Sequence, residues 1–443
     1  MIVVLNFGGQ FAHLIARRVR DLGVRAEILP GTASLEEIKA LSPAGIILSG
    51  GPMSVLDDGA PLPEKGVFTF GVPVLGICYG HQAMAHLLGG KVTPGKEREF
   101  GKETIKVVAK KGVLKGLSAK EVVWFSHGDQ ATKLPKGFTV TATTPSCKYA
   151  GFMDAKRKFY GIQFHPEVTH TTHGTEVLKN FLFDIVNAKK DWKIKAVGEK
   201  IIADIKEEVG SAHVLVGISG GVDSLVAATL IHRAIGNQLH AVFVDTGLLR
   251  KGEVEQVSAY LKKHGFKGLH VIDASRIFLS KLSGITDPEQ KRKIIGHTFI
   301  EVFEKAIEEE LADFPIKYLA QGTIYPDRIE SAATGKQASK IKSHHNLTLP
   351  ERFGLKVLEP IKDLYKDEVR RVGATLDLPK ELLWRHPFPG PGLAIRIVGE
   401  VTPDRLAILR DADAVYIEEL KKSGEYEKIC QAFAALFPLK VVG

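Results

Sequence analysis

A cysteine follows a short apolar run and stands between two glycines. The segment Gly76-Ile77-Cys78-Tyr79-Gly80 comes after a strand-like run and before a helix-like one. A sharp strand-to-helix turn of this kind projects a nucleophile above the sheet. The nearby helix N-terminus also favours the thiolate form. Taken alone, the pattern fits a buried and inert cysteine equally well.

Two further segments would complete a covalent catalyst. His165 and Glu167 stand two apart in an extended run, so we expect both side chains on one face. The carboxylate would then orient an imidazole that deprotonates Cys78. A Gly-Gly-Pro turn ends another apolar run, and the amides of its Gly51 and of Tyr79 would form an oxyanion hole. Together these segments predict acyl transfer through a cysteine nucleophile.

A second candidate site begins at Ser219-Gly220-Gly221-Val222-Asp223-Ser224, between an apolar run and a helical one. Backbone N–H groups at such a turn bind anions, and the helix N-terminus adds a favourable field. The GK[ST] of a Walker A loop is absent, and Asp223 suits Mg²⁺ better than phosphate. The alternative is an ordinary capped helix. The next strand ends at Asp245, Thr246 and Gly247, on the edge where open sheets bind ligands.

The elements that position these residues alternate between apolar strands and helices. This alternation predicts an α/β protein with two open, mostly parallel, doubly wound domains and a partial α+β domain at the C-terminal end. The run 124–160 favours antiparallel strands, followed by a strand over 160–165. The predicted boundaries are a first domain 1–188, a linker 189–197, a second domain 198–385 and the partial domain 386–443.

Composition narrows the function classes. The 443 residues carry a formal charge of +9, which fits nucleic acid, phosphorylated small molecules or a lysine-rich surface. The three cysteines form no CxxC pair, so a disulfide framework or a zinc site is not expected. No apolar run reaches the length of a membrane span and no secretory leader is recognisable, so we expect a cytoplasmic protein.

The motifs GGP, GICYGHQ and HPE, in this order, resemble those of class I glutamine amidotransferases. That resemblance implies Cys78 as nucleophile, His165 as general base and acid, and Glu167 as its partner. It also implies a glutamine pocket lined by Gln82, His127, Gly128 and Asp129. SGGVDS resembles the loop of the N-type ATP pyrophosphatases. This second resemblance implies ATP bound at Ser219, Gly220, Gly221, Val222, Asp223, Ser224, Leu225, Asp245, Thr246 and Gly247, with Mg²⁺ at Asp223.

Five further segments are KRKIIG (291–296), QGTIYPD (321–327), IES (329–331), IKSHHN (341–346) and RHPFPGPG (385–392). In this order they resemble the glutamine-hydrolysing GMP synthetases, and the resemblance covers essentially the whole chain. The resemblance implies that ATP activates xanthosine 5′-monophosphate (XMP), that ammonia from glutamine displaces AMP, and that the C-terminal domain forms a homodimer. A basic cluster such as Lys291, Arg292 and Lys293 can bind a nucleotide phosphate by charge-assisted hydrogen bonds; the alternative is a solvated face of a helix. The long polar segment 331–346 reads as a lid or a solvated loop. The candidate XMP or lid residues are Arg292, Lys293, Glu330, Lys342, His344 and His345.

Members of that family continue past the position of Gly443, so part of the domain that forms the dimer and contributes XMP contacts is expected to be absent from this chain. Two alternatives stay open. One is an RNA-modifying pyrophosphatase, whose partner would be nucleic acid. The favoured interpretation predicts neither a nucleic-acid partner nor a membrane partner. The other is a form that retains glutaminase activity without aminating XMP.

Overall fold

The protein is described by a computed structural model for residues 1–9, 11–327 and 352–439. The predicted residues Glu330, Lys342, His344 and His345 lie outside the described residues. The chain divides into two compact units, Met1–Lys193 and Ile194–Gly443. Among the described residues, no helix combines the length and the apolar character needed to cross a membrane.

The first unit is built on a nine-stranded mixed sheet in the order β2-β1-β3-β4-β9-β8-β7-β5-β6. Five strands form the parallel half: β1 (Ile2–Asn6), β2 (Ala26–Pro30), β3 (Gly45–Leu48), β4 (Val74–Ile77) and β9 (Phe159–Ile162). Strands β1, β3 and β4 are almost wholly apolar and buried, as expected when helices cover both faces of a parallel sheet. The helices are α1 (Ala12–Asp21), α2 (Leu35–Ala40), α3 (Tyr79–Leu87) and α4 (Gly174–Lys179), which continues as a π-helical segment, Asn180–Ile185.

An antiparallel region extends this sheet beyond β9, and it begins at Lys91, well before the predicted run 124–160. It consists of β5 (Lys91–Val107), β6 (Lys120–Lys133), β7 (Thr139–Thr143) and β8 (Gly151–Asp154). The pairing of β5 with β6 shifts register between Pro94 and Glu99. The strand predicted over 160–165 is shorter than expected, because β9 ends at Ile162.

The second unit contains five parallel strands in the order β12-β11-β10-β13-β14. They are β10 (His213–Ile218), β11 (Leu239–Asp245), β12 (Leu269–Asp273), β13 (Ile316–Ala320) and β14 (Lys356–Leu358). Strands β11 and β13 flank β10, so successive crossovers leave it in opposite directions. Ligands of open α/β sheets bind at the carboxyl ends of strands beside such a switch point.

Helices cover this sheet and form the C-terminal segment. They are α5 (Ile194–Val209), α6 (Val222–Ile235), α7 (Glu253–Lys263), α8 (Ser275–Leu282), α9 (Pro288–Glu310), α10 (Lys366–Thr375), α11 (Lys380–Leu383) and α12 (Pro403–Lys422). Asp287 caps the long α9 by accepting from the Gln290 amide, and Pro288 occupies its first turn. The α/β class and the two predominantly parallel cores predicted from the sequence are confirmed.

Candidate active sites

Cys78 stands at the junction of β4 and α3. It adopts φ 53° and ψ −106°, a strained conformation for a residue with a side chain. The flanking glycines permit the turn: a Cβ on Gly76 would lie 2.5 Å from the Gly80 oxygen, and one on Gly80 would lie 2.3 Å from the Leu48 oxygen. The thiol is only 4% exposed, and Sγ lies 3.5 Å from the Ser126 carbonyl oxygen. The fold thus holds Cys78 at the strained turn of a nucleophile elbow.

His165 and Glu167 come together as predicted, but not for the reason given. Because β9 ends at Ile162, both residues follow the strand, and strand alternation does not set their direction. Main-chain anchors do so instead: the Arg18 side chain donates to the Glu167 oxygen (3.1 Å) and the Thr171 hydroxyl to the His165 oxygen (2.5 Å). His165 Nδ1 then lies 2.7 Å from Glu167 Oε1. This carboxylate fixes the proton on Nδ1 and leaves Nε2 for chemistry.

The charge balance favours an imidazolium at His165. Burial opposes protonation of the ring, but the adjacent Cys78 and Glu167 outweigh it and raise the pKa of His165 above its usual value. A Cβ placed on Gly50 would lie 3.7 Å from Cys78 Cβ and 3.8 Å from His165 Nε2. The side chains of Cys78 and His165 therefore both border Gly50, an arrangement in which the imidazole can act as base toward the thiol.

The predicted oxyanion-hole residues also meet. A Cβ on Gly51 would lie 3.1 Å from Tyr79 Cγ and 2.8 Å from the Phe7 oxygen. Tyr79 is held in place by its hydroxyl, which donates to the Pro61 oxygen at 2.8 Å. Gly51 thus packs against Tyr79, the residue that follows the candidate nucleophile.

The predicted glutamine-pocket residues lie on α3 and β6. Gln82 Nε2 donates to the Asp129 carbonyl oxygen at 2.6 Å, and His127 Nδ1 lies 2.9 Å from the same oxygen. Gly128 lies between them on β6. Asp129 Oδ2 is buried without a protein partner, which leaves an acceptor for a ligand. Sequence reasoning missed Glu99, whose carboxylate lies 2.8 Å from His127 Nε2.

The second site forms where β10 turns into α6. Gly220 adopts φ +72°, a conformation that suits glycine. The Ser224 hydroxyl accepts from the Ser219 amide (3.3 Å), and the Ser219 hydroxyl accepts from the Gly221 amide (3.2 Å). The side chains of Val222 and Leu225 are buried, which anchors the first turn of α6 in the core and leaves only their main chain for a ligand. The loop is thus a rigid cradle at a helix N-terminus.

Asp223 lies in the first turn of α6, directly after this cradle. Oδ2 accepts from Lys366 Nζ at 2.5 Å, while Oδ1 is buried without a protein partner. Sequence reasoning missed Lys366, the first residue of α10, because its surroundings are rich in ordinary surface charges. Gly322, after β13, packs on the same turn, since a Cβ there would lie 3.1 Å from the Ser224 nitrogen. A cation and a carboxylate thus border a phosphate-sized turn at the switch point of the sheet.

The end of β11 lies next to the turn that follows β10. The Gly247 amide donates to Asp245 Oδ1 at 2.8 Å, and the Leu248 amide donates to the Thr246 hydroxyl at 3.2 Å. The Gly247 carbonyl accepts from the guanidinium of Arg410 on α12. Since β10 and β11 are adjacent parallel strands, both predicted ATP segments lie on the same edge of the sheet.

The basic cluster on α9 divides into one buried and two exposed residues. Arg292 and Lys293 face solvent, and Arg292 pairs with Glu289 at 3.2 Å. Lys291 is 1% exposed, and its ammonium donates to the carbonyls of Ala394 (3.2 Å), Ile397 (2.8 Å) and Gly399 (2.5 Å). The prediction that Lys291 binds a phosphate is therefore wrong, because all three of its N–H groups serve the main chain.

Comparisons with known proteins agree with this division. Residues 3–185 match the profile of class I glutamine amidotransferases, and residues 194–291 match that of NAD synthases. The fold and the sites thus define a glutamine amidotransferase joined to an ATP-using unit of the NAD synthase type.

Relatives over the whole chain identify the family. The glutamine-hydrolysing GMP synthase of Aquifex aeolicus is 51% identical, and that of Carboxydothermus hydrogenoformans is 50% identical; each comparison covers 100% of this chain and 86% of the relative. Among solved structures, a glutamine amidotransferase from Thermotoga maritima is 22% identical with a TM-score of 0.31, covering 41% of this chain and 80% of that one. The chain belongs to the glutamine-hydrolysing GMP synthases, ligases of purine biosynthesis that use ATP.

Proposed function

We propose that Cys78, His165 and Glu167 form the glutaminase centre. Cys78 Sγ attacks the γ-carboxamide carbon of glutamine, and the amides of Gly51 and Tyr79 stabilise the tetrahedral oxyanion. The His165 imidazolium gives its proton to the departing ammonia, which leaves a γ-glutamyl thioester. Water, deprotonated by His165, then attacks the thioester and releases glutamate and free Cys78. The 2.7 Å contact between His165 and Glu167 beside Cys78 carries this assignment.

The glutamine substrate would lie against the wall formed by Gln82 and the segment from His127 through Gly128 to Asp129. The buried, unpartnered Asp129 Oδ2 is an acceptor for the substrate ammonium group. A carboxylate in this place can form a charge-assisted hydrogen bond with the α-ammonium group of an amino acid. Without such a partner, burial of the ammonium group would be costly.

We propose that the turn from Ser219 to Ser224 holds the β- and γ-phosphates of ATP through its amides and hydroxyls, with Lys366 as a further cation. Val222 and Leu225 contribute through the main chain and by anchoring the helix. The edge formed by Asp245, Thr246 and Gly247 would hold the adenosine. XMP O2 attacks the α-phosphorus and pyrophosphate leaves; ammonia then displaces AMP to give GMP.

The residues present fit a Mg²⁺ ion at Asp223. Among the described residues, no group of three metal-binding side chains occurs. Mg²⁺ at a nucleotide site, however, commonly uses one or two carboxylates together with phosphate oxygens and water. The orphaned Asp223 Oδ1 supplies one such ligand. The bound ion would neutralise charge on the phosphates. The ion pair between Asp223 and Lys366 would hold the Asp223 carboxylate in position for it.

For XMP, the exposed Arg292 and Lys293 are proposed phosphate contacts. Glu330, Lys342, His344 and His345, outside the described residues, stay candidates for XMP binding or for the lid. The support is their charge, since an exposed guanidinium or ammonium pairs readily with a phosphate. Replacement of Arg292 or Lys293 by an uncharged residue should raise the KM for XMP and leave the rate of glutamine hydrolysis unchanged.

A homodimer is the proposed assembly, with a second copy packed on α12. Ile408, Val415 and Tyr416 lie on one face of that helix and are 58%, 61% and 44% exposed within the described part of the chain. Their helical spacing makes a continuous apolar stripe, which a partner helix would cover. Analytical ultracentrifugation of the Val415→Asp variant should show a monomer. We also propose a cytoplasmic location, where ATP, XMP and glutamine occur together.

The experiment that tests the assignment measures AMP and GMP release with Mg-ATP and XMP, using glutamine in one reaction and ammonium in the other. Cys78→Ala should abolish only the glutamine-dependent reaction. Cys147→Ala is the matched control, because Cys147 is also a buried free cysteine of the first unit. Equal losses of both reactions in Cys78→Ala would refute separate ammonia-producing and ammonia-using sites. Glutamine hydrolysis without GMP in the unmodified chain would support the glutaminase-only alternative.

A further inference from the structure

Glu99 is a buried carboxylate that the catalytic steps above do not use. It lies opposite His127 in the pairing of β5 with β6, directly after the register shift, and is 9% exposed. Hydroxyl groups approach Oε1 from the segment after β7: Ser146 Oγ donates to it, and Thr144 Oγ1 lies 3.4 Å away. His127 Nε2 lies 2.8 Å from Oε2. Three side chains therefore converge on one buried carboxylate.

The hydrogen bonds of His127 depend on this carboxylate. Nδ1 lies 2.9 Å from the Asp129 carbonyl oxygen, which only accepts, so Nδ1 carries a hydrogen. Nε2 lies 2.8 Å from Glu99 Oε2 on the other side of the ring. Burial favours the neutral carboxyl, but His127 and Ser146 outweigh it and lower the pKa of Glu99. An ionised Glu99 carboxylate therefore lies within ion-pair distance of His127 Nε2.

His127 in turn holds the wall of the proposed glutamine pocket. The Asp129 oxygen that accepts from His127 also accepts from Gln82, one turn beyond Cys78 on α3. The preceding residue, Ser126, provides the carbonyl next to Cys78 Sγ. The segment 126–129 is thus fixed to α3 on one side and to Glu99 on the other. Its position sets where Asp129 Oδ2 meets a ligand.

We propose that Glu99 is a positioning residue for glutamine recognition, which acts through His127 on the segment that carries Asp129. The proposal rests on the glutaminase role proposed for Cys78. Loss of the carboxylate leaves Cys78, His165 and Glu167 in place but frees the pocket wall. It should therefore weaken glutamine binding more than it slows the chemical step.

Glu99→Ala is the test, and glutaminase KM and kcat are the measured quantities. Removing a charge-assisted hydrogen bond from a buried group should raise the KM for glutamine about tenfold or more. The kcat should stay within about threefold, and the ammonium-dependent rate of GMP formation should not change. Glu99→Gln keeps the volume and one acceptor, so its KM should rise by a smaller factor of about three to ten.

Glu121→Ala is the matched control. Glu121 is 5% exposed on β6 and lies 2.6 Å from Nδ1 of the half-exposed His173, so it is a second buried glutamate of the same unit that contacts a histidine. Its removal should leave the KM for glutamine unchanged. An equal KM increase in Glu121→Ala would assign a general structural role to both residues and overturn the proposal. An unchanged KM in folded Glu99→Ala, or in Glu99→Gln where the alanine variant does not fold, would overturn it as well.

The outcome for Cys78→Ala distinguishes a failure of the proposed glutaminase centre from a failure of the role proposed for Glu99. If that variant keeps glutamine-dependent synthesis, the proposed glutaminase centre itself fails. If it loses only that reaction while the Glu99 variants keep a normal KM, only the role of Glu99 fails.

Discussion

A methyl group at position 50 would contact the side chains of both Cys78 and His165, the proposed nucleophile and base of the glutaminase centre. In Gly50→Ala, the new Cβ would lie 3.0 Å from His165 Cε1 and 3.7 Å from Cys78 Cβ. Contacting carbon atoms normally stay about 3.5–4.0 Å apart, so the imidazole has to move by about 0.5–1 Å. Gly50 does not have a positive φ, so the alanine adds no backbone strain.

Displacement of a catalytic group by about 1 Å costs on the order of 100-fold in rate. We therefore expect glutamine-dependent kcat to fall about 10- to 100-fold, which equals about 1.4–2.7 kcal/mol in the barrier. The assay follows glutamate release from glutamine, and GMP release with ammonium in a parallel reaction. The ammonium-dependent rate should not change, because the altered residue lies in the first unit.

Gly198→Ala is the control for glycine replacement as such. Gly198 lies within α5, and a Cβ there would make only ordinary contacts, the nearest at 3.5 Å to Val372 Cγ1. Both reactions should be normal in that variant. A normal glutaminase rate in Gly50→Ala would refute the placement of His165 Nε2 opposite Cys78. Equal loss of both reactions would instead indicate damage to the whole fold.

Three more changes probe the other charged groups. Glu167→Gln should lower glutaminase kcat by roughly 10³–10⁴-fold, because the imidazole loses both its orientation and its counter-charge; a loss below tenfold would exclude that role. Asp223→Asn should weaken Mg²⁺-dependent ATP binding, measured by calorimetry with and without Mg²⁺, and should stop GMP formation from either nitrogen source; equal ATP affinity with and without Mg²⁺ in the unmodified protein would contradict the proposed ion. Burial, followed by the neighbouring His213 and His270, lowers the pKa of His240 to about 4. As pH falls from about 6.5 to about 4, the unfolded chain gains a proton that the folded one resists, so the free energy of unfolding should fall. His240→Phe should reduce that fall, measured as the urea midpoint at pH 7 and pH 5, and an identical pH dependence in both proteins would show that other groups cause it.

Sequence predicted the parts of each site that are local in the chain. The turn around Cys78 and the turn at Ser219 each depend on residues within a few positions, so their glycines and their apolar flanks are sufficient signals. Glu99 and Lys366 were missed for the opposite reason. Each belongs to a run of charged residues that looks like solvent-exposed surface, and only strand pairing or helix placement brings it to its partner.

The histidine and glutamate of the glutaminase centre show the same limit. Their proximity follows from sequence separation alone, but their direction depends on where β9 ends and on contacts with Arg18 and Thr171. The phosphate role predicted for Lys291 failed because helical spacing does not tell which face of α9 the rest of the unit covers. Burial of that residue is decided by the segment 394–399, about a hundred positions away.

Lys291 has a consequence for the order in which the second unit opens. Its ammonium is the common donor for three carbonyls of the segment 394–399, and this segment is linked through α9 to the apolar core. Separation of the segment from α9 would break all three of these hydrogen bonds at once, in addition to exposing apolar surface. The segment and the first turns of α9 should therefore open as one cooperative unit. In native-state hydrogen exchange, their amides should share a single free energy of opening, and Lys291→Met should split it into two.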